Sequence, residues 1–98
     1  MTLPLEYLPE VDDEVVAAYR WHEIERAGLG EEFLSAVRAS LDDIQENPEA
    51  NAVLYRKVRA CLVRRFRYII YYRILSDRIK VIAIQHAHRN PRAWRRRA

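Results

Sequence analysis

The side chains best suited to chemistry gather at one end of the sequence. Residues 86–98 read HAHRNPRAWRRRA and hold two histidines, five arginines, one Trp and one Pro. Imidazole exchanges protons near neutral pH, so His86 and His88 are candidates for a general acid and base. Arg89 follows at once, and Arg64 and Arg65 stand further back in the chain. A guanidinium holds phosphate oxygens in a fixed fork. Metal-free RNA cleavage needs a group that activates the 2′-hydroxyl, one that protonates the leaving 5′-oxygen, and cations around the phosphorane. His86, His88, Arg89 and Arg65 could supply those parts. The same segment could instead be a solvated basic arm, or a grip on a partner protein. For the grip, Trp94 among Arg92, Arg95, Arg96 and Arg97 has the aromatic and arginine character of an interface anchor. Lys57 and Arg59 form a second basic stretch, suited to holding nucleic acid rather than cutting it.

Other chemistries find no support. His86 and His88 share a face if their strand runs that far, but no third ligand stands at a recognisable spacing, so no metal site is expected. Cys61 is the one cysteine, which excludes an internal disulfide and a cysteine-based zinc site. Both glycines fall in one short stretch, 28–30, so there is no phosphate-cradling loop and no cofactor is expected. Tyr68, Tyr71 and Tyr72 could stack on bases, but in a central strand such residues fill the core. Trp21 reads as packing, and His22 as structural or solvated.

The 98 residues fit one domain, 1–98, and half of them are hydrophobic, which is the composition of a folded chain. No 18-residue apolar run is present, so no membrane span or membrane partner is expected. The opening MTLPLEYLPEVDDEVV is acidic and broken by prolines, unlike a secretion signal, so the cytoplasm is the expected location. The net charge of +3 conceals a division. Residues 1–49 carry 13 acidic and 3 basic side chains; residues 50–98 carry 1 acidic and 14 basic ones. Two explanations compete: the second half faces an acidic ligand, or the halves attract each other within the fold.

The elements that must position these residues follow from period and punctuation. LEYLP (5–9) alternates between two prolines and reads as a short edge strand. Residues 11–28 read as a helix capped by Asp12 or Asp13, with Val16, Ala17, Tyr19, Trp21 and Ile24 as its apolar side and Gly28 as its end. Residues 31–48 read as a second helix, with Phe33, Val37, Leu41 and Ile44 on one stripe and Asn47-Pro48 as its stop. Residues 53–63, 65–75 and 79–87 are rich in β-branched and aromatic residues and read as strands, with a hairpin turn at Ser76-Asp77-Arg78. Asn90-Pro91 predicts a turn, and Pro91 can open a short helical tail that folds Trp94 back onto the sheet. The expected fold is therefore α+β: an N-terminal strand, a helical hairpin and a three-stranded antiparallel sheet, β-α-α-β-β-β, with a short C-terminal helical tail.

Specific stretches add a family resemblance. GLGEEFL opens the second helix and ENP closes it; RRFRYIIYYRI and the ending HAHRNPRAW follow in order. Together they resemble the RelE/ParE superfamily of bacterial toxins, and the ending resembles its ParE-like branch. Arg67 stands where proline is frequent in those strands. The resemblance implies the toxin of a type II toxin–antitoxin pair, neutralised by a cognate antitoxin with an acidic, amphipathic C-terminal segment. RelE-like members cleave mRNA in the ribosome; ParE-like members poison DNA gyrase. The nuclease branch places an arginine near the position of Ile69 and a tyrosine in the region of Trp94, and this sequence has neither. An indole only donates and cannot act as acid or base. The resemblance therefore implies gyrase as the target, with Arg64, Arg65, Arg89, Trp94 and Arg95 expected to meet target or antitoxin. The ribosome and mRNA are the alternative, with His86 and His88 as catalytic candidates. A non-toxic basic nucleic-acid-binding domain is a third class; its expression would not stop growth.

Overall fold

The structure is a computed structural model that describes residues 2–98. Its elements run β1 (Leu5–Tyr7), α1 (Pro9–Glu25), α2 (Leu29–Glu46), β2 (Val53–Tyr55), β3 (Val58–Val63), β4 (Tyr68–Ile74), β5 (Ile79–His86) and α3 (Arg92–Arg95). The strands form one mixed sheet in the order β1-β5-β4-β3-β2. β1 lies parallel to β5 at one edge, and every other pairing is antiparallel. The α+β class and the helical hairpin are as the sequence predicts. The sheet has one more strand, because the expected strand 53–63 breaks at Arg56-Lys57. Arg56 adopts φ 53° there, a left-handed conformation that folds the run into a hairpin.

α1 begins earlier than its acidic residues suggest. Leu8 is extended, Pro9 takes the first helical position, and no side chain caps the end. Proline suits that position because its missing N–H would be unsatisfied anyway. Asp12 and Asp13 therefore lie inside the first turns rather than at the cap. Nor does Gly28 end α1, which stops at Glu25; Gly28 opens α2, at φ 88°. Gly30 serves the same junction differently. A Cβ there would lie 2.7–2.8 Å from Glu23 and the Tyr19 ring, so its absence lets the two helices close on each other.

Helix α2 uses the expected stripe: Phe33, Val37 and Ile44 are buried, and Leu34 and Leu41 pack beside them. α1 does not. Its buried residues are Val11, Ala18 and His22, whereas Val16, Trp21 and Ile24 are exposed. The inward side is made of small or polar residues because Phe33 and Phe66 already fill the space around His22. The helices cover one face of the sheet, meeting Val63, Ile70, Tyr72, Ile79, Val81 and Ile84. Tyr71 and Tyr72 are buried on opposite faces, so both act as core side chains. No helix among the described residues is long and apolar enough to cross a membrane.

Phe33 is fully buried at the centre of the helix-side core. Phe33→Ala is expected to lower the unfolding free energy by about 3–5 kcal/mol, read as a shifted midpoint in urea with unchanged slope.

Candidate functional site

The C-terminal segment is ordered by a sequence of short contacts. The Ala87 N–H donates to the Arg67 carbonyl at 2.8 Å, and Asn90 Oδ1 accepts from the Arg92 N–H at 3.0 Å. Pro91 then starts α3, as expected from its fixed φ. Trp94 folds onto the sheet face away from the helices and is only 3% exposed. Its ring stacks on Tyr71, with centroids 4.3 Å apart and planes 15° apart, and meets Tyr55 edge-on at 5.8 Å. Val58, Ile82 and Ala83 complete this second, smaller core, with Ile69 packed against it. Trp94 is thus an anchor that holds the tail, and its ring is not offered to solvent.

What the tail does offer is guanidinium. Arg92, Arg95 and Arg96 surround an open hollow of about 590 Å³ beside Tyr55. Arg95 lies over the Tyr55 ring at 4.8 Å and over Trp94 at 5.5 Å, and Arg56 lies 5.4 Å from the same Tyr55. These cation–π contacts orient the arginines without neutralising them. Arg97 behaves differently. It donates to Glu14 Oε1 at 3.0 Å and to the Ile82 carbonyl at 3.0 Å, and the Arg97–Glu14 pair is largely covered.

A second group of candidates meets at another corner. Arg65, His86 and Tyr68 line a cleft of about 500 Å³ closed by Trp21, His22 and Phe66. Tyr68 lies 5.4 Å from His86 and 5.8 Å from His22, centroid to centroid. Burial raises the Tyr68 phenol pKa, which keeps its hydroxyl protonated. Arg65 is held by Glu32 Oε1 at 2.9 Å, while Arg26 holds the other oxygen at 3.0 Å. Hydrogen bonds from Arg65 and then Arg26 lower the Glu32 pKa. β5 ends at His86, so His88 lies beyond the strand and the two do not share a strand face. Their rings are nevertheless 5.2 Å apart, and His86 Nδ1 accepts from the His88 N–H at 3.1 Å.

The structure therefore divides the expected site. Arg65 and His86 belong to the cleft, Trp94 and Arg95 to the tail. Arg89 lies between, lining one hollow with Trp21 and His86 and another with Arg96 and Arg97. Arg64 is exposed in the turn between β3 and β4, and Lys57 is exposed in the turn between β2 and β3. Arg59 is committed to its own loop, donating to the Asn51 carbonyl at 2.6 Å and the Glu49 carbonyl at 3.3 Å. His22 is the cleft residue that the sequence does not single out. Its position four residues after Ala18, whose carbonyl its ring meets, is the only local signal.

Three comparisons with known proteins bear on this arrangement. The sequence matches the family described as ParE toxin of type II toxin-antitoxin system, parDE, over residues 5–91. It is 30% identical over 99 residues to Toxin ParE2 of Mycobacterium tuberculosis, in strains CDC 1551 / Oshkosh and ATCC 25618 / H37Rv, covering 95% of this chain and 90% of each relative. The fold is similar to a chain of the chromosomal ParDE TA system from P. aeruginosa, with a TM-score of 0.69 at 16% identity, covering 89% of this chain and 98% of that one.

Two substitutions test the local physics. Trp94→Ala is expected to cost about 3–5 kcal/mol and to release amide-exchange protection from the last six residues first. Arg67 sits at φ 55°, which the proline ring cannot adopt. Arg67→Pro should therefore lower the melting temperature, whereas Arg67→Gly, free of that strain, should leave it unchanged or higher.

Proposed function

We propose a function from one premise: the chain belongs to the ParE toxin family of type II toxin–antitoxin systems. In our reading it arrests growth by poisoning DNA gyrase, acts in the cytoplasm, and is neutralised by a cognate antitoxin with an acidic, amphipathic C-terminal segment. The observation that carries the gyrase reading is the apolar character of the sheet face under Trp94. A nuclease of the neighbouring branch would need an arginine near Ile69 and a catalytic tyrosine near Trp94. Here Ile69 packs against the cluster formed by Val58, Tyr71, Ile82, Ala83 and Trp94. Among the described residues, the positions of Ile69 and Trp94 on that face therefore hold no acid, base or phosphate-binding cation.

The surface suits a protein or protein–DNA target instead. Of the 14 basic side chains in residues 50–98, Arg65, Arg78 and Arg97 alone have a carboxylate partner among the described residues. Arg92, Arg95 and Arg96 carry no carboxylate partner among the described residues, Arg89 lines a hollow with Arg96, and Arg64 is exposed in the β3–β4 turn. For the antitoxin, the exposed Trp21 on α1 gives apolar ground beside Arg65 and Arg89, and Val16 and Ile24 are exposed on the same helix. Opposite charge would speed encounter, and apolar contact would set the lifetime of the complex.

The mRNA-cleaving alternative draws on the cleft, where His86, Tyr68 and Arg65 stand together. Pulse labelling after induced expression separates the readings. An early fall in DNA synthesis, with broken chromosomes and protein synthesis still running, is the expected result. An early fall in protein synthesis with DNA synthesis spared would overturn the gyrase reading and direct mutagenesis to His86, His88 and Arg89. Growth without arrest would leave a non-toxic basic binding domain.

A further inference from the structure

The cleft contains a buried polar group that nothing in the toxin reading uses. His22 is 5% exposed, yet it lines the cleft. Its Nδ1 lies 2.6 Å from the Ala18 carbonyl. A carbonyl only accepts, so Nδ1 carries the proton of that bond. Nε2 is then the acceptor of the neutral ring, and no protein group among the described residues donates to it. The imidazole is clamped: Phe33 stacks on it at 4.8 Å, and Trp21 and Phe66 meet it edge-on at 5.0 and 5.2 Å. It cannot turn away without breaking that packing. The recessed end of the cleft is thus a fixed hydrogen-bond acceptor ringed by aromatic walls.

An occupant without a donor would desolvate Nε2 and return nothing. A flat ring carrying an N–H meets both demands of the cleft, its aromatic walls and its one acceptor. The rim adds a third. Arg65 and His86 line it, the His88 ring stands 5.2 Å beyond His86, and Arg89 lines the adjoining hollow. The guanidinium of Arg65, which Glu32 engages through one nitrogen only, and the remaining ring N–H of His86 stand on one side of an aromatic socket and fit an anion attached to the ring. The volume, about 500 Å³, lies within the range of small-molecule sites.

We propose that this cleft binds a nucleotide whose base carries an exocyclic amine, as adenine does. The amine donates to His22 Nε2, the base lies against Trp21 and Phe66, and the phosphate is held by Arg65 and His86. The nucleotide can be free or part of a single strand, since both present the same chemistry. This site lies on the helix side of the sheet, apart from the tail arginines, and it does not depend on which target the toxin arrests.

The test is a titration of the full chain with AMP, followed by tryptophan fluorescence. Trp21 and Trp94 are the only two indoles, and Trp94 is buried on the other face. Saturable quenching is expected with the wild type and should vanish in Trp21→Phe. Purine ribonucleoside monophosphate, which lacks the amine, should bind roughly tenfold more weakly, as should adenosine, which lacks the phosphate. These ligand comparisons need no variant to fold. His22→Phe, which keeps an aromatic ring in the clamp, should erase the preference for the amine. A four-residue oligoadenylate separates the sources: tighter binding than AMP means a strand nucleotide, and equal binding means a free one. The proposal is overturned by an absence of saturable binding, by equal affinity with and without the amine, or by quenching that survives Trp21→Phe. It is also overturned if an acidic, tryptophan-bearing peptide saturates the cleft and AMP does not.

Discussion

β5 must bury both of its faces, and the rest of the fold is arranged around that constraint. It pairs with β1 on one side and β4 on the other, and five consecutive residues, Val81–Gln85, are buried. Strict alternation would give each face every second residue. A bulge alters this: Tyr72 pairs with Val81 and Tyr71 with Ala83, which leaves Ile82 as the extra residue. Ile82 and Ala83 then both serve the Trp94 side, while Val81 and Ile84 serve the helix side. Beyond the end of the short β1, the open edge of β5 needs a partner, because a buried N–H left unpaired is costly. Glu14 supplies it. Its carboxylate accepts from the Ile84 N–H and the Gln85 amide, and also from Arg97 of the tail. One side chain of α1 thereby completes the sheet edge and fastens the C-terminal segment.

The parts legible in the sequence are those where one physical signal dominates. α2 has a clean apolar stripe and a proline after its end, and Ser76-Asp77-Arg78 forms the turn between β4 and β5, closed by the Leu75 N–H on the Arg78 carbonyl at 2.8 Å. The illegible parts are those where tertiary context reverses a local cue. In α1, Trp21 and Ile24 are the large apolar residues and His22 is the polar one, yet His22 goes inside. It can do so because one ring nitrogen reaches a carbonyl on its own helix while Phe33 and Phe66 cover its faces. The break between β2 and β3 carries no glycine or proline, so an unbroken strand is the natural reading of 53–63. At the candidate site, the tail turn and the return of Trp94 to the sheet were open to inference from Asn90-Pro91. The cleft was not, because it joins α1, the β3–β4 turn and β5.

Attraction between the halves within the fold explains part of the charge division. Intramolecular pairing is real at three places: Arg65 with Glu32, Arg78 with Glu6, and Arg97 with Glu14. The first two are exposed and contribute little to stability. The third is largely covered, and there the remaining carboxylate oxygen is also engaged, which is the condition for a covered pair to be tolerated. These contacts fix the tail and one turn. They leave most of the positive charge of the second half facing outward.

Backbone strain also falls on the basic half. Among the described residues, three other than glycine have positive φ, and all three are arginines: Arg56, Arg65 and Arg67. Each lies in a hairpin turn where glycine or asparagine would adopt the conformation more easily. A left-handed arginine costs about 1–2 kcal/mol against the ordinary conformation, a substantial fraction of a small domain's net stability. Packing does not explain the choice, since all three side chains are exposed. Arg65 has a partner in Glu32, yet that pair is exposed and is worth less than the strain. The turns thus hold guanidinium groups at a stability cost that the fold itself does not require. Two of those turns border the hollows described above, Arg56 over Tyr55 beside the tail arginines and Arg65 at the rim of the cleft. Backbone strain of this kind clusters where a protein binds its ligands, which is consistent with the function proposed for this surface.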